Sequence, residues 1–308
     1  MGTMDLHTIE NGQLRLQVHE RLGASIAALQ YRIGGTWHPI MREVSDDALK
    51  GNISSPLSSY SLVPFSNRIP EGKFTFKGKQ HQLMTNTKEH TTIHGDVRNR
   101  PHRLQEATLT RLVFGFDSRE HTDLEAFNYP FPLTLKTTFE LTGNTLIQTL
   151  EITNVGDEEM PIGFGIHPYF VRSFAGSGDA VLQFEVDGVY RTDSTNIPKE
   201  GKQPLPADLD FSGGAALGDR KFDTVFGGFA GNLKVSYPGT PYNLTLQADP
   251  VFQHLILFTA PDGTMALEPV TNCTNAFNLH EEGVKDTGFL SLLPGNSISG
   301  SIQFTLGE

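Results

Sequence analysis

Two short segments of the sequence each place a titratable side chain among apolar residues. His167 lies within GFGIHPYF (163–170), and Glu268 ends an apolar run just before Pro269. Burial raises the pKa of a carboxyl group, whereas the pKa of a histidine starts near neutrality, so such a pair could act as base and acid on one substrate. The ordinary alternative is a hydrogen-bonded core histidine and a carboxylate in a buried salt bridge.

Three other segments place polar groups beside apolar residues. Asn67 and Arg68 precede a predicted hairpin, His94 precedes a glycine, and Asp223 follows a phenylalanine. Read singly, each residue has a structural explanation: Arg68 could pair with a surface carboxylate, while His94 and Asp223 could occupy turns. Together with the histidine and glutamate above, they form a set that could bind and transform a polar ligand.

The sequence motifs of other reaction classes are absent or weak. There is no G-x-S-x-G elbow, no phosphate-binding or dinucleotide glycine motif, and Cys273 lacks a cationic setting. Asp223 and Glu268 could form the carboxylate pair of a glycosidase. His94, His167 and Glu268 could bind a metal, but their spacing shows no paired-ligand motif, so we predict neither a metal nor a cofactor.

The elements that must position these groups read as β-strands. Segments 133–141 and 146–154 alternate apolar and polar residues around Thr142-Gly143-Asn144, which predicts a hairpin. Similar segments recur to the end of the chain, and the only clear helical pattern is a short one from the predicted N-cap Ser45 to Gly51. Many strands separated by turns predict an all-β antiparallel sandwich with few short helices.

No change of composition marks a linker, so we predict a single domain over residues 1–308. The irregular stretch 198–218 is polar and long, and such loops often form the wall of a binding site.

Composition narrows the function classes. The 308 residues have a net charge of -11, which argues against nucleic-acid binding because phosphate contacts need clustered Lys and Arg. The 37% apolar and 19% charged residues are typical of a soluble protein, and no apolar run is long enough for a membrane. A single cysteine and no visible signal peptide predict a cytoplasmic location. The oligomeric state is not indicated.

Six short motifs, taken in order, resemble the aldose 1-epimerase (galactose mutarotase) family. They are NRI (67–69), HG (94–95), HPYF (167–170), FD (222–223), LEPVTN with NAF (267–277) and LLPGNS (292–297). The resemblance covers nearly the whole chain. It implies a large antiparallel β-supersandwich and an isomerase that interconverts the α and β anomers of a monosaccharide without a cofactor.

The resemblance also implies roles for the candidate residues. Glu268 would be the base and His167 the acid that open the sugar ring. Arg68 and His94 would hold the ring oxygen or neighbouring hydroxyls, and Asp223 would accept hydrogen bonds from hydroxyls. Asn67, in the NRI motif, would help to position the substrate.

Two positions depart from the family pattern. Asp96 stands where many members have a second glycine, and Ile256 stands where many have a glutamine, so galactose need not be the substrate. Of the neighbouring aromatic residues, Tyr169, Phe170 and Phe226 could pack on the sugar or belong to the core.

A phosphorylated sugar would require additional cationic groups. Arg98, Arg100 and Arg103 follow His94 in the sequence, but the sequence does not place them in a pocket. A non-catalytic sugar-binding protein on the same fold remains the alternative function.

Overall fold

The structure, a computed structural model, describes residues 6–121 and 126–308, and its regular elements are almost entirely β-strands. In chain order the strands are β1 (Leu6–Glu10), β2 (Leu14–His19), β3 (Ser25–Ile33), β4 (Thr36–Pro39), β5 (Ser61–Leu62), β6 (Arg68–Pro70), β7 (Lys73–Phe76), β8 (Lys79–Gln82), β9 (Thr91–Ile93), β10 (Arg103–Ala107), β11 (Arg111–Asp117), β12 (Leu133–Thr142), β13 (Thr145–Asn154), β14 (Met160–Ile162), β15 (Gly165–Ile166), β16 (Tyr169–Phe170), β17 (Val181–Phe184), β18 (Gly188–Tyr190), β19 (Gln203–Pro204), β20 (Ala215–Ala216), β21 (Asp223–Gly227), β22 (Asn232–Ser236), β23 (Asn243–Ala248), β24 (His254–Thr259), β25 (Met265–Val270), β26 (Leu290–Leu292) and β27 (Ser297–Gly307).

Two large sheets dominate the fold. One has nine strands in the order β10-β11-β12-β13-β27-β23-β22-β17-β20. The other has eight strands, with the path β19-β18-β21-β24-β25-β15-β5 and β16 paired to β25. A four-stranded sheet (β1 to β4) and three two-stranded sheets (β14-β26, β6-β9 and β7-β8) complete the described part of the chain. The named strands pair antiparallel throughout, which confirms the all-β antiparallel prediction.

The predicted hairpin at 133–154 is β12 and β13, paired from Leu133 opposite Asn154 to Thr142 opposite Thr145. Burial alternates along both strands, because successive side chains point to opposite faces of a sheet and one face covers the core. Gly143 has φ +57°, a left-handed conformation that favours glycine in the tight turn.

The two large sheets share one apolar core. Phe170 of the eight-stranded sheet meets Phe304 of the nine-stranded sheet with 5.7 Å between ring centres, and Phe226 meets Phe184 at 5.5 Å. Burial of these aromatic side chains is the main source of stability at this contact.

In β24 and β25, both faces of the strands are buried. Leu255 and Leu257 point into the shared core, whereas Ile256 and its partner in register, Glu268, point to the opposite face. That opposite face is covered by a second, smaller apolar cluster, which includes Tyr60, Leu62 and Leu279. Because side chains alternate between the two faces along β25, the carboxyl group of Glu268 lies on this covered, partly aromatic face.

The helices of the described residues are short. The predicted helix is α1 (Asp46–Leu49), capped by Ser45 Oγ, which accepts from the Ala48 N–H at 3.2 Å. A second helix, α2 (Ala276–Glu281), was not predicted, and it buries Phe277 and Leu279. No helix in the described ranges is long and apolar enough to cross a membrane.

Candidate active site

A cavity of about 240 Å³ opens on the covered face of β24 and β25. All six candidate residues from the sequence line it, although they come from distant parts of the chain. The lining consists of Ser55, Tyr60, Asn67, Arg68, Ile93, His94, Arg98, His167, Tyr169, Asp223, Ile256, Phe258 and Glu268. Residues 198–218 contribute nothing to this lining, so the expectation that this loop forms the wall of the site is wrong.

Close backbone contacts bring His167 to Glu268. His167 lies between β15 and β16, and its backbone N–H donates to the Tyr60 carbonyl at 2.9 Å. A Cβ atom on Gly165 would lie 2.5 Å from the Pro269 carbonyl oxygen, so glycine is needed for β15 to approach β25 this closely.

The side chains of His167 and Glu268 are in direct contact, with Nε2 and Oε1 3.1 Å apart. They are only 5% and 2% exposed, and burial raises the pKa of Glu268 well above, and lowers the pKa of His167 well below, their ordinary values. Among the described residues, neither His167 Nδ1 nor Glu268 Oε2 has a hydrogen-bond partner. Since buried polar atoms are normally satisfied, these two atoms mark a site for a polar ligand.

Aromatic rings enclose the imidazole. His167 stacks on Tyr169 with 4.5 Å between ring centres and lies 4.8 Å from the ring of Tyr60. The guanidinium of Arg42 covers the Tyr169 ring at 3.5 Å. These rings exclude water, and the positive charges of Arg98 and Arg42 add to burial in lowering the pKa of His167.

His94 is held by backbone geometry. Its φ is +66°, and a Cβ on the following Gly95 (φ +63°) would lie 2.0 Å from the Val63 carbonyl oxygen. The backbone N–H of Asn67 donates to His94 Nδ1 at 3.2 Å. Burial lowers the pKa of His94 well below its ordinary value, so the neutral ring has its proton on Nε2 and can donate a hydrogen bond.

Arg68 and Asp223 face each other at the cavity, with 4.0 Å between Nη2 and Oδ2. Arg68 Nη1 also donates to Asn67 Oδ1 at 3.1 Å, and Asn196 Nδ2 donates to Asp223 Oδ2 at 3.0 Å. The cavity therefore offers cationic and neutral donors together with a carboxylate acceptor, which is the mixture that sugar hydroxyls require.

The sequence analysis did not place every lining residue in the cavity. Arg98 was named only as a neighbour of His94 in the sequence, and Tyr60 had no sequence signal. Of the aromatic candidates, Tyr169 lines the cavity, whereas Phe170 and Phe226 are fully buried in the core between the sheets. Within the described residues, no group of three or more His, Cys, Asp or Glu side chains is arranged to hold a metal ion.

Comparison with known proteins identifies the family to which the sequence is similar. A sequence model of the aldose 1-epimerase family matches residues 5–305. Uncharacterized protein YphB of Escherichia coli (strain K12) is 24% identical over 312 residues, covering 97% of this chain and 98% of its own.

Solved structures show the same fold. A galactose mutarotase-like protein from Clostridium acetobutylicum superposes with a TM-score of 0.85 at 19% identity, covering 98% of this chain and 94% of that chain. A putative aldose 1-epimerase from Escherichia coli K12 gives 0.83 at 23% identity and covers 98% of both chains. The sheets described above are therefore those of a galactose mutarotase-like fold.

Proposed function

Because the chain belongs to the aldose 1-epimerase family, we propose that it is an isomerase that interconverts the α and β anomers of a free aldose. The observation that supports this most directly is the 3.1 Å contact between His167 and Glu268 at the wall of the cavity. Burial raises the pKa of Glu268 and lowers the pKa of His167, which favours one transferable proton on the pair. Ring opening needs one group that gives a proton and one that takes it.

In the proposed reaction, Glu268 as a carboxylate takes the proton of the anomeric hydroxyl, while His167 as an imidazolium protonates the ring oxygen. The bond between the anomeric carbon and the ring oxygen breaks, and the anomeric carbon becomes an aldehyde. Rotation about the bond to the next carbon turns the carbonyl, and the reverse transfers close the ring on its other face. Both side chains end in their starting protonation states.

The contact distance suits this chemistry, because the anomeric hydroxyl and the ring oxygen are bonded to the same carbon. Before a sugar binds, burial favours a neutral imidazole and a protonated carboxyl group. Moving that proton from Glu268 to His167 creates the reactive state without changing the net charge. The positive charge of Arg68, which lowers the pKa of Glu268, and sugar hydroxyls that donate to the carboxylate favour the move.

The remaining candidates would bind the sugar. His94 donates from Nε2, Arg68 donates from its guanidinium, and Asp223 accepts from hydroxyls; Asn67 positions both His94 and Arg68 through its backbone and side chain. A cavity of about 240 Å³ is smaller than the ~300–1,000 Å³ typical of pockets for drug-sized ligands, which favours a single monosaccharide.

Polarimetry tests the proposal. Freshly dissolved α-glucose, α-galactose and other α-aldoses should reach anomeric equilibrium faster with the protein than in buffer alone. If none of the aldoses is accelerated but one of them binds in calorimetry, the protein is a non-catalytic sugar-binding protein and the proposal fails.

A further inference from the structure

Arg98 lines the cavity beside the proposed catalytic pair, yet its charge is poorly compensated. The residue is only 7% exposed, and within the described part of the chain no carboxylate oxygen lies within 4.0 Å of it. Its Nη1 donates to Ser55 Oγ at 3.0 Å, and its buried Nε has no acceptor in the ranges 6–121 and 126–308. A guanidinium has five N–H donors, so most of its hydrogen-bonding capacity is unused.

A purely structural role does not account for this arrangement. The guanidinium lies over the Tyr60 ring at 5.2 Å, which gives a cation–π contact, but an arginine used only for packing does not need to face a cavity. A buried cation is normally paired with an anion, since loss of hydration is otherwise uncompensated. Arg98 thus lacks a partner of the kind that a ligand could supply.

The charge balance of the lining leads to the same conclusion. Arg68 is offset by Asp223 at 4.0 Å. His167 and Glu268 share one proton, and the sum of their charges is zero whichever of them holds it. Burial keeps His94 neutral, so Arg98 leaves the lining with one positive charge in a chain whose net charge is -11. A small positive cavity in an acidic protein attracts small anions selectively.

We propose that the substrate is an aldose with an anionic substituent, a phosphate or a carboxylate, and that Arg98 binds this group. This inference rests on the proposed function, because it assigns the substrate class of the same cavity. The Ser55 hydroxyl, already in contact with Arg98, supplies a second donor to the anion. Arginine suits the task because its planar N–H donors match the geometry of carboxylate and phosphate oxygens.

Magnetisation transfer between the anomeric protons, measured by NMR at equilibrium, compares glucose, glucose 6-phosphate and glucuronate without isolating one anomer. At least one anionic aldose should have a kcat/KM roughly 10- to 100-fold above that of glucose, as expected for a charge-assisted hydrogen bond. The two anionic sugars distinguish phosphate from carboxylate recognition.

Arg98→Gln should remove the preference for the anionic aldose, and Arg98→Lys should restore part of it. Arg103→Gln, which removes the same charge from a side chain 76% exposed on the surface, should keep the preference. If Arg98→Gln does not fold, the salt dependence of the wild-type protein replaces it: added NaCl should slow exchange of the anionic aldose and leave glucose unaffected.

The two proposals fail in different ways. If glucose is exchanged as well as or better than both anionic aldoses, the anion site is wrong and the epimerase stands. If no aldose is exchanged, the epimerase is wrong, and calorimetric titration of glucose 6-phosphate and glucuronate into the wild-type and Arg98→Gln proteins judges the anion site separately. Equal binding by both proteins, or no binding, would overturn it.

Discussion

Asp223 Oδ2 and Arg68 Nη2 lie 4.0 Å apart, and the two residues act on Glu268 with opposite sign. The negative charge of Asp223 adds to burial in raising the pKa of Glu268, and the positive charge of Arg68 lowers it. The ion pair therefore sets how readily the proposed base gives up its proton, in addition to offering contacts to the sugar.

Asp223→Asn should shift the alkaline limb of the pH profile of kcat/KM to lower pH. Removing the negative charge stabilises ionised Glu268, so the shared proton of the catalytic pair is lost at lower pH. KM for the aldose should rise about tenfold, since an amide is a weaker acceptor for hydroxyls. The profile is measured by polarimetry; Asp208→Asn, at an exposed position, is the control. An unmoved or raised limb would contradict the inferred coupling.

Glu268→Gln should lower kcat by about 10²–10⁴-fold, because the amide cannot take the proton of the anomeric hydroxyl. Sugar affinity, measured by calorimetry, should change far less. Glu200→Gln, an exposed substitution of the same chemistry, should retain the wild-type rate. A Glu268→Gln protein with the full rate would exclude Glu268 as the base.

The lowered pKa of His167 determines the acid limb of the pH profile of kcat/KM. Because burial and the nearby guanidinium groups lower its pKa, a second proton binds the catalytic pair only below the ordinary histidine value of about 6.5. After subtraction of the protein-free rate, kcat/KM should stay constant as the pH falls through 6.5 and decline only at lower pH. His167→Asn should lose about 10²–10⁴-fold in rate. An acid midpoint above 6.5 would contradict this placement of His167.

Gly95→Ala should unfold at a markedly lower temperature than the wild-type protein. A left-handed alanine costs about 1–2 kcal/mol, and the added Cβ would also clash with the Val63 carbonyl oxygen at 2.0 Å. Gly143→Ala is the matched control, because its φ is also positive but its Cβ would meet no atom within 4 Å. Calorimetry should show the larger loss for Gly95→Ala; equal losses would mean that the clash is relieved at little cost.

His102 should make the protein sensitive to acid. It is 2% exposed, and burial lowers its pKa to about 3. Since the folded state binds the proton less readily than the unfolded state, the contribution to stability is complete above about pH 6.5 and is lost as the pH falls toward 3. The loss at pH 4.5 is on the order of 3 kcal/mol.

Urea unfolding at pH 7 and pH 4.5 measures this dependence. His102→Leu should reduce the difference between the two pH values and leave stability at pH 7 unchanged or increased, because it replaces a buried polar ring by an apolar side chain. His90→Asn, at an exposed position, should keep the wild-type difference. A His102→Leu protein as acid-sensitive as the wild type would exclude His102 as the source.

The strands were predictable where one face alone is buried. Along Leu133–Asn154, apolar and polar residues alternate because one side of the hairpin covers the core, and the turn needs the glycine seen in the sequence. Helix α2 was not predictable by the same reasoning. Its N-cap, Asn275, is a residue type that favours helix starts, but the helix has only 6 residues, which is too short for a clear helical period. The single domain stays a prediction.

The sequence could not predict which of three neighbouring arginines lines the cavity. Arg98, Arg100 and Arg103 lie within six positions and look equivalent in sequence. Arg100 pairs with Asp96 and Arg103 with Glu120, while Arg98 alone of the three lines the cavity. The direction of each side chain depends on the short 3-10 turn Val97–Asn99 and on packing against distant residues, which local patterns do not encode.

The two-sided burial of β24 and β25 has a consequence for how this chain can change. Glu268 and Leu267 point to opposite faces, so deleting Met265 or Ala266 would shift β25 by one residue, turning the carboxylate toward the apolar core and Leu267 toward the cavity face. Such a deletion would therefore abolish both folding and the proposed catalytic activity. Length variation in this hairpin is therefore expected to be tolerated only at its exposed tip, around Asp262 and Gly263.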